Sequence, residues 1–290
     1  MTLARGVERL GYSSLTMPDH FGDQLAPVPA LMSAADATDR LRVGALVWDN
    51  DYKHPVVLAK ELATLDVLSE GRVEIGLGAG WMRTDYDLAG MTYDTPGVRV
   101  DRFVEGLAII KGCFADGAFS YAGSHYTITE LDGTPKPTQR PWPPILIGGG
   151  GKRVLSIAAR EADIVGINGT MAGGAVDAEA LASMTADAVD TKVGIVRAVA
   201  GERMASIEIN VRAFFVAVTD SRQATAEAIA KSLSFSAADV LDTPFALIGT
   251  PAQIAEDLQL RRDRWGFSYI IVGAEDAESF APVVAELAGK

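Results

Sequence analysis

Hydrophobic residues along this chain fall into two rhythms. Short apolar runs at 12–17, 42–48, 72–76, 145–147, 164–167, 207–218 and 269–272 have the length and composition of strands. Between them, at 29–40, 55–68, 100–114, 178–199, 221–232, 250–264 and 277–288, apolar positions recur as in helices that bury one face. Residues 1–11 read as the last turns of another helix: Leu3, Val7 and Leu10 share a face and Gly11 caps it. Strand then helix, repeated throughout, predicts a parallel sheet. About seven strands are legible, one short of a closed (β/α)8 barrel. The expectation is a single barrel domain over 1–290, lacking its first strand in this chain. From 83 to 142 the rhythm loosens around the helix at 100–114 and a small hairpin at 119–128, which marks an insertion of the kind that serves as a lid.

The stretch from Pro143 to Gly169 is the most informative. Ile145 to Ile147 is a strand buried on both faces, and Gly148, Gly149, Gly150 and Gly151 end it. Val154, Leu155, Ala158 and Ala159 follow at helical spacing, then a second apolar run closes at Asn168-Gly169. Strand, glycine turn, helix, strand is a right-handed βαβ unit. Bare amides at the turn and the first helical turn, with the helix dipole behind them, suit an anion such as phosphate. Lys152 and Arg153 add positive charge there. A doubly wound dinucleotide fold would need Gly-x-Gly-x-x-Gly opening a helix. Gly76-Leu77-Gly78-Ala79-Gly80-Trp81 lacks the last glycine, so that fold is set aside.

Composition narrows the partners. The formal charge of −12 disfavours nucleic acid and anionic membrane surfaces, and no apolar run approaches the length of a membrane span. One cysteine, Cys113, permits no internal disulfide and no cysteine metal cluster, and a cytoplasmic setting is expected. His20, His54 and His125 are scattered without a metal-binding spacing, and no Gly-x-Ser-x-Gly occurs. No metal and no acyl-transfer nucleophile is expected.

In a barrel, chemistry gathers at the C-terminal ends of the strands. Those ends carry Asp19-His20-Phe21, Trp48-Asp49-Asn50, Gly78-Ala79-Gly80-Trp81, Gly148 to Gly151 and Asn168-Gly169. One histidine, small residues that admit a flat ligand, aromatic walls and a phosphate turn suit a flavin-like cofactor. His20 is the candidate for proton exchange, with Asp19 beside it. His54 is expected to shape a helix start, and His125 to lie on the surface. Asp85 fits a pocket or a solvated surface equally.

These residues resemble the luciferase-like monooxygenase superfamily, in particular its actinobacterial F420-dependent oxidoreductases. The matching stretches are Met17 to Phe21, His54-Pro55 to Gly71-Arg72, Gly76 to Trp81, Val98-Arg99 to Leu107, Ile145 to Asp163 and Ile248 to Pro251. The resemblance implies a (β/α)8 barrel, a homodimer, a small-molecule substrate, and coenzyme F420 or, alternatively, FMN. It sets Asp19 and His20 against the cofactor ring. Ala45 and Leu46 fall on a strand bulge that in many members holds a non-prolyl cis peptide. Gly78, Ala79, Gly80 and Trp81 pass close to the cofactor, while Gly148, Gly149, Gly150 and Gly151, flanked by Asn168 and Gly169, hold its phosphate end. Sugar-phosphate dehydrogenases of the superfamily carry a catalytic Glu at the position of Trp81. The implied activity is hydride transfer with F420. Flavin monooxygenation with FMN, or a non-catalytic barrel, are the other readings.

Overall fold

The computed structural model describes residues 2–233 and 235–290. The opening helix is α1 (Thr2–Arg9), with Met1 outside the described residues. The chain divides into two compact units, one built mainly from Ser14–Gly148 and the other from Gly6–Ser13 with Gly149–Lys290.

The first unit runs β1 (Ser14–Met17), α2 (Pro27–Asp36), β2 (Arg42–Ala45), β3 (Trp48–Asp49), α3 (Pro55–Leu68) and β4 (Val73–Gly78). Then come α4 (Arg83–Ala89), α5 (Pro96–Phe114), the hairpin β5 (Phe119–Ala122) with β6 (Thr127–Leu131), and β7 (Ile145–Gly149). β1 pairs with β2, β2 with β4 and β4 with β7, all parallel, and β3 lies along the last residues of β4. The expected strand at 42–48 is therefore two. The Leu46–Val47 peptide is cis, and Trp48 and Asp49 realign beside Leu77 and Gly78. A Cβ on Gly76 would lie 2.1 Å from the Ala45 carbonyl oxygen, so bare backbone is required at that crossing.

Val43, Ile75, Leu77, Ile145 and Ile147 are fully buried along the strands. Leu58 and Leu62 of α3 and Phe103, Ile110 and Phe114 of α5 are buried too, and the two helices pack together. Each such side chain contributes about 1.5–3 kcal/mol. His54 caps α3, its Nδ1 accepting from the Val56 amide at 3.3 Å. In the insertion, Glu105 of α5 accepts the amides of Ser124, His125 and Tyr126 and so fixes the turn of the hairpin. His125 is exposed, as expected.

The second unit runs α6 (Lys152–Glu161), β8 (Ile164–Ile167), α7 (Ala178–Ala182), α8 (Ala186–Ala200), a 3₁₀ turn (Gly201–Ser206), β9 (Glu208–Arg212) and β10 (Phe215–Val218). It ends with α9 (Arg222–Leu233), α10 (Ala237–Asp242), β11 (Ala246–Gly249), α11 (Pro251–Trp265), β12 (Phe267–Ile271) and α12 (Ala277–Leu287). β8 pairs with β9, β9 with β12, and β10 with β11, all parallel. The single long strand expected at 207–218 is thus corrected to two strands with different partners. The break has a local cause: the Ala213 amide donates to Ile271 O and the next amide, Phe214, to Phe245 O, each at 2.8 Å. β11 lies in a stretch that the sequence pattern left unassigned, although its apolar run leads into Gly249-Thr250-Pro251 much as 145–147 leads into the glycine turn. Among the described residues no helix is long and apolar enough to cross a membrane.

Candidate active site

In the first unit, His20 follows β1 and Asp85 sits in the first turn of α4. His20 Nδ1–H donates to Asp85 Oδ2 at 2.6 Å, and the Tyr52 hydroxyl donates to the same oxygen at 2.9 Å. A carboxylate only accepts, which fixes the direction of both bonds. Asp85 is 4% exposed. Sequence left it between pocket and surface; the fold buries it as the partner of His20. Among the described residues His20 Nε2 has no protein partner, so this nitrogen is the one available for proton exchange. The Trp81 ring meets His20 edge-on, with centroids 5.9 Å apart, and Phe21 packs on Tyr52 at 4.5 Å.

Asp19, expected beside His20, turns to β3 and accepts the Asp49 amide on Oδ2 at 3.3 Å. Burial pushes its carboxyl upward. Burial pushes the Asp49 carboxyl up more strongly, to about 7. The phenols of Tyr52 and Tyr86 are both raised, first by burial and then by the Asp49 carboxyl, so they remain protonated donors.

The Gly78–Trp81 segment is held from the insertion. Gly80 has φ +75°, and a Cβ there would fall 2.0 Å from the Tyr86 hydroxyl and within 2.9 Å of both Asp49 carboxyl oxygens. Arg99 Nε donates to Gly80 O at 3.3 Å, the Tyr93 hydroxyl donates to Trp81 O at 2.9 Å, and Arg99 stacks on Tyr93 at 4.1 Å. Ala45 closes β2 and is buried; the Leu46 amide donates to Met17 O at 2.8 Å. Gly78 ends β4 against the Val47 side chain, with half-buried Ala79 next to it.

In the second unit the glycine corner and the Asn168-Gly169 loop meet. Asn168 N donates to Gly149 O at 3.1 Å, and a Cβ on Gly150 would lie 2.3 Å from Gly169 O. Gly151 is the N-cap of α6, carries no side-chain cap and would meet nothing within 4 Å through a Cβ. The ten-residue helix α6 thus starts without a side-chain cap, and its dipole favours an anion at that end. Gly148, in the first unit, precedes this corner and is half-buried. Lys192 of α8 supports it: its buried Nζ donates to Asn168 O and Ser183 O, each at 2.6 Å. Burial alone lowers its pKa to about 8.

A family model described as luciferase-like monooxygenase matches residues 1–268. The chain belongs to the luciferase-like monooxygenase family. Among curated relatives, an FMNH(2)-dependent dimethylsulfone monooxygenase of Pseudomonas putida is 29% identical over 68% of this chain and 51% of its own length. An F420-dependent glucose-6-phosphate dehydrogenase of Microbacterium testaceum is 29% identical over 54% of this chain and 48% of its own. The chain thus spans about half the length of these relatives. A solved F420-dependent secondary alcohol dehydrogenase superposes on 99% of this chain and 94% of its own, with a TM-score of 0.78 at 17% identity. That likeness places the chain in the luciferase-like α/β barrel fold.

Family members use either F420 or FMN. The donor set of this luciferase-like chain fits an anionic flavin-type group on one structural observation: a helix start with no side-chain cap, at a glycine corner where even a Cβ on Gly151 would meet open space. Sequence reasoning missed Tyr52, Tyr86, Tyr93, Arg99 and Lys192. Only Lys192 carried a usable signal, a lone cation in the buried stripe Val189, Lys192, Val193 and Val196.

Proposed function

We propose that this protein is an oxidoreductase that moves a hydride to or from a small organic substrate with coenzyme F420, and that His20 carries the accompanying proton. The observation behind this reading is the His20–Asp85–Tyr52 arrangement. Asp85 takes the Nδ1 proton and the Tyr52 hydroxyl, which fixes the imidazole plane and leaves Nε2 to give or take a proton. F420, when bound, would supply a two-electron hydride carrier; the chain supplies the proton, the orientation and an aromatic wall of half-buried Tyr52 and Trp81, with exposed Phe21 packed on Tyr52. Asp19 binds the Asp49 amide instead and lies outside this set, close enough to His20 to feel its charge.

The glycine corner at Gly151, at the positive end of the α6 dipole and without a side-chain cap, is proposed to hold a phosphate group. Each of the two assignments stands on its own unit and is tested on its own. Trp81 exchanges no proton, which counts against sugar-phosphate oxidation despite the similarity to the Microbacterium testaceum enzyme. FMN is the second reading, supported by similarity to the Pseudomonas putida monooxygenase.

Fluorescence titration of the purified protein with F420 and with FMN tests the cofactor. Saturable quenching of F420 is expected, with weaker or no retention of FMN; the reverse result replaces F420 by FMN, and binding of neither leaves a non-catalytic barrel. His20→Gln and Asp85→Asn are expected to keep cofactor affinity and lose turnover by about 10²–10⁴-fold, the range for a positioned acid–base. Unchanged turnover in both removes His20 from the chemistry.

A further inference from the structure

The two neighbours on α4, Asp85 and Tyr86, divide their work. Asp85 holds His20, while Tyr86 reaches a pair of buried carboxyls, Asp49 and Asp51. The Tyr86 oxygen lies 3.3 and 3.2 Å from the two oxygens of Asp49 and 3.0 Å from Asp51 Oδ2. A phenol has one proton to give. Asp51 accepts it on distance, and Arg102 Nη1 pairs with the other oxygen of Asp51 at 2.9 Å. A favourable contact between Tyr86 and Asp49 then needs a proton on Asp49, given to the phenol oxygen.

The surroundings of Asp49 agree. It is 7% exposed, and among the described residues no cation touches its carboxyl; Oδ1 accepts the Asp51 amide at 2.9 Å, which leaves Oδ2, 3.2 Å from the Tyr86 oxygen, to carry the proton. The acidic and phenolic groups facing it are Asp19, which accepts its amide, Asp51, Tyr52 and Tyr86. The nearby cations are committed elsewhere: Arg102 to Asp51 and Asp94, Lys53 to Glu61, and Arg99 to Gly80 O and Asp94 O. Gly80 packs its bare Cα against this carboxyl and the Tyr86 hydroxyl, and Trp81 follows directly.

We propose that Asp49 is a positioning residue: as a neutral carboxyl it donates to Tyr86, and thereby fixes α4 and the Gly80–Trp81 turn, which set Asp85 and Trp81 against His20. Ionisation of Asp49 removes that donated bond and places two carboxylates on either side of one phenol. Repulsion then shifts α4, and the His20–Asp85 contact loosens with it. The inference rests on the proposed role of His20 only for its consequence in turnover; its structural test needs no cofactor.

Trp81 reports the state of the turn. Its emission, isolated by difference against Trp81→Phe, is followed from about pH 6 to about pH 8.5. A one-proton transition centred near 7, the value to which burial raises Asp49, is expected in the wild-type protein. Asp49→Asn, whose amide can donate without ionising, is expected to show the low-pH signal throughout, and Asp49→Ala the high-pH signal throughout. Because histidines titrate in this range as a class, the transition is also measured in His20→Gln, where it is expected to persist. A transition unchanged in Asp49→Asn, or absent from the wild type, overturns the proposal. Should Asp49→Asn fail to fold, infrared spectroscopy of the wild type decides. A protonated-carboxyl band present at about pH 6 and lost by about pH 8.5 supports the proposal, and no such band at the lower pH refutes it.

Discussion

Replacing Lys192 by Met tests the support beneath the glycine corner. Lys192 is 5% exposed, and among the described residues its Nζ is met only by the carbonyls of Asn168 and Ser183. Burial lowers its pKa from 10.5 to about 8. That gap of about 2.5 pH units corresponds, at about 1.36 kcal/mol per unit, to about 3 kcal/mol against the charged form in the fold. The folded value lies below the unfolded one, so between 8 and 10.5 the unfolded chain binds more protons. Stability from this group therefore rises with pH through that window, and the whole penalty applies below it.

Methionine removes the penalty but leaves two buried carbonyls unpaired, at about 1–3 kcal/mol each. The two proteins should be near parity at about pH 7, and Lys192→Met should be weaker by about 3 kcal/mol at about pH 10.5. Urea unfolding followed by far-ultraviolet circular dichroism, repeated across this range, gives the difference, in which other titrating groups cancel. A wild-type-minus-mutant difference that stays constant within about 0.5 kcal/mol would refute a Lys192 whose pKa is lowered by burial.

Gly150→Ala would put a Cβ 2.3 Å from Gly169 O, and only backbone movement relieves that contact. A stability loss of about 1–3 kcal/mol is expected, together with loss of inorganic phosphate protection in a thermal melt; wild-type protection in the mutant would remove the corner as an anion site. Glu105→Ala leaves the amides of Ser124, His125 and Tyr126 without their acceptor. Limited proteolysis should then cut at residues 123–126 while the rest of the chain stays intact. Burial works upward on Glu105, but the three amides outweigh it and hold its pKa below the usual carboxylate range. The turn should therefore hold above the usual carboxylate range and loosen as pH falls through the lowered value.

The βαβ unit at 145–169 could be read from the chain alone, because every part of it is local. A short apolar run makes a buried strand, glycines end it, and apolar spacing starts α6 within a few residues. The family resemblance was legible for a similar reason, as a string of short strand-end motifs. Side chains that meet across long separations were not. Asp85 lies 65 residues from His20, and its sequence neighbours fit a surface turn as well as a pocket; burial against His20 and Tyr52 decided between them. The run at 207–218 alternates evenly, and only its hydrogen bonds to Ile271 and Phe245 show where one strand ends and the next begins. Lys192 showed only as a cation in an apolar stripe, and the carbonyls of Asn168 and Ser183 gave it a function. The sequence by itself determined most of the strand and helix order, though not β11 or the breaks in the runs at 42–48 and 207–218, since backbone preference and periodicity act over a few residues. The tertiary structure decided which charges leave water and what they meet there, because desolvation depends on every element packed around the group.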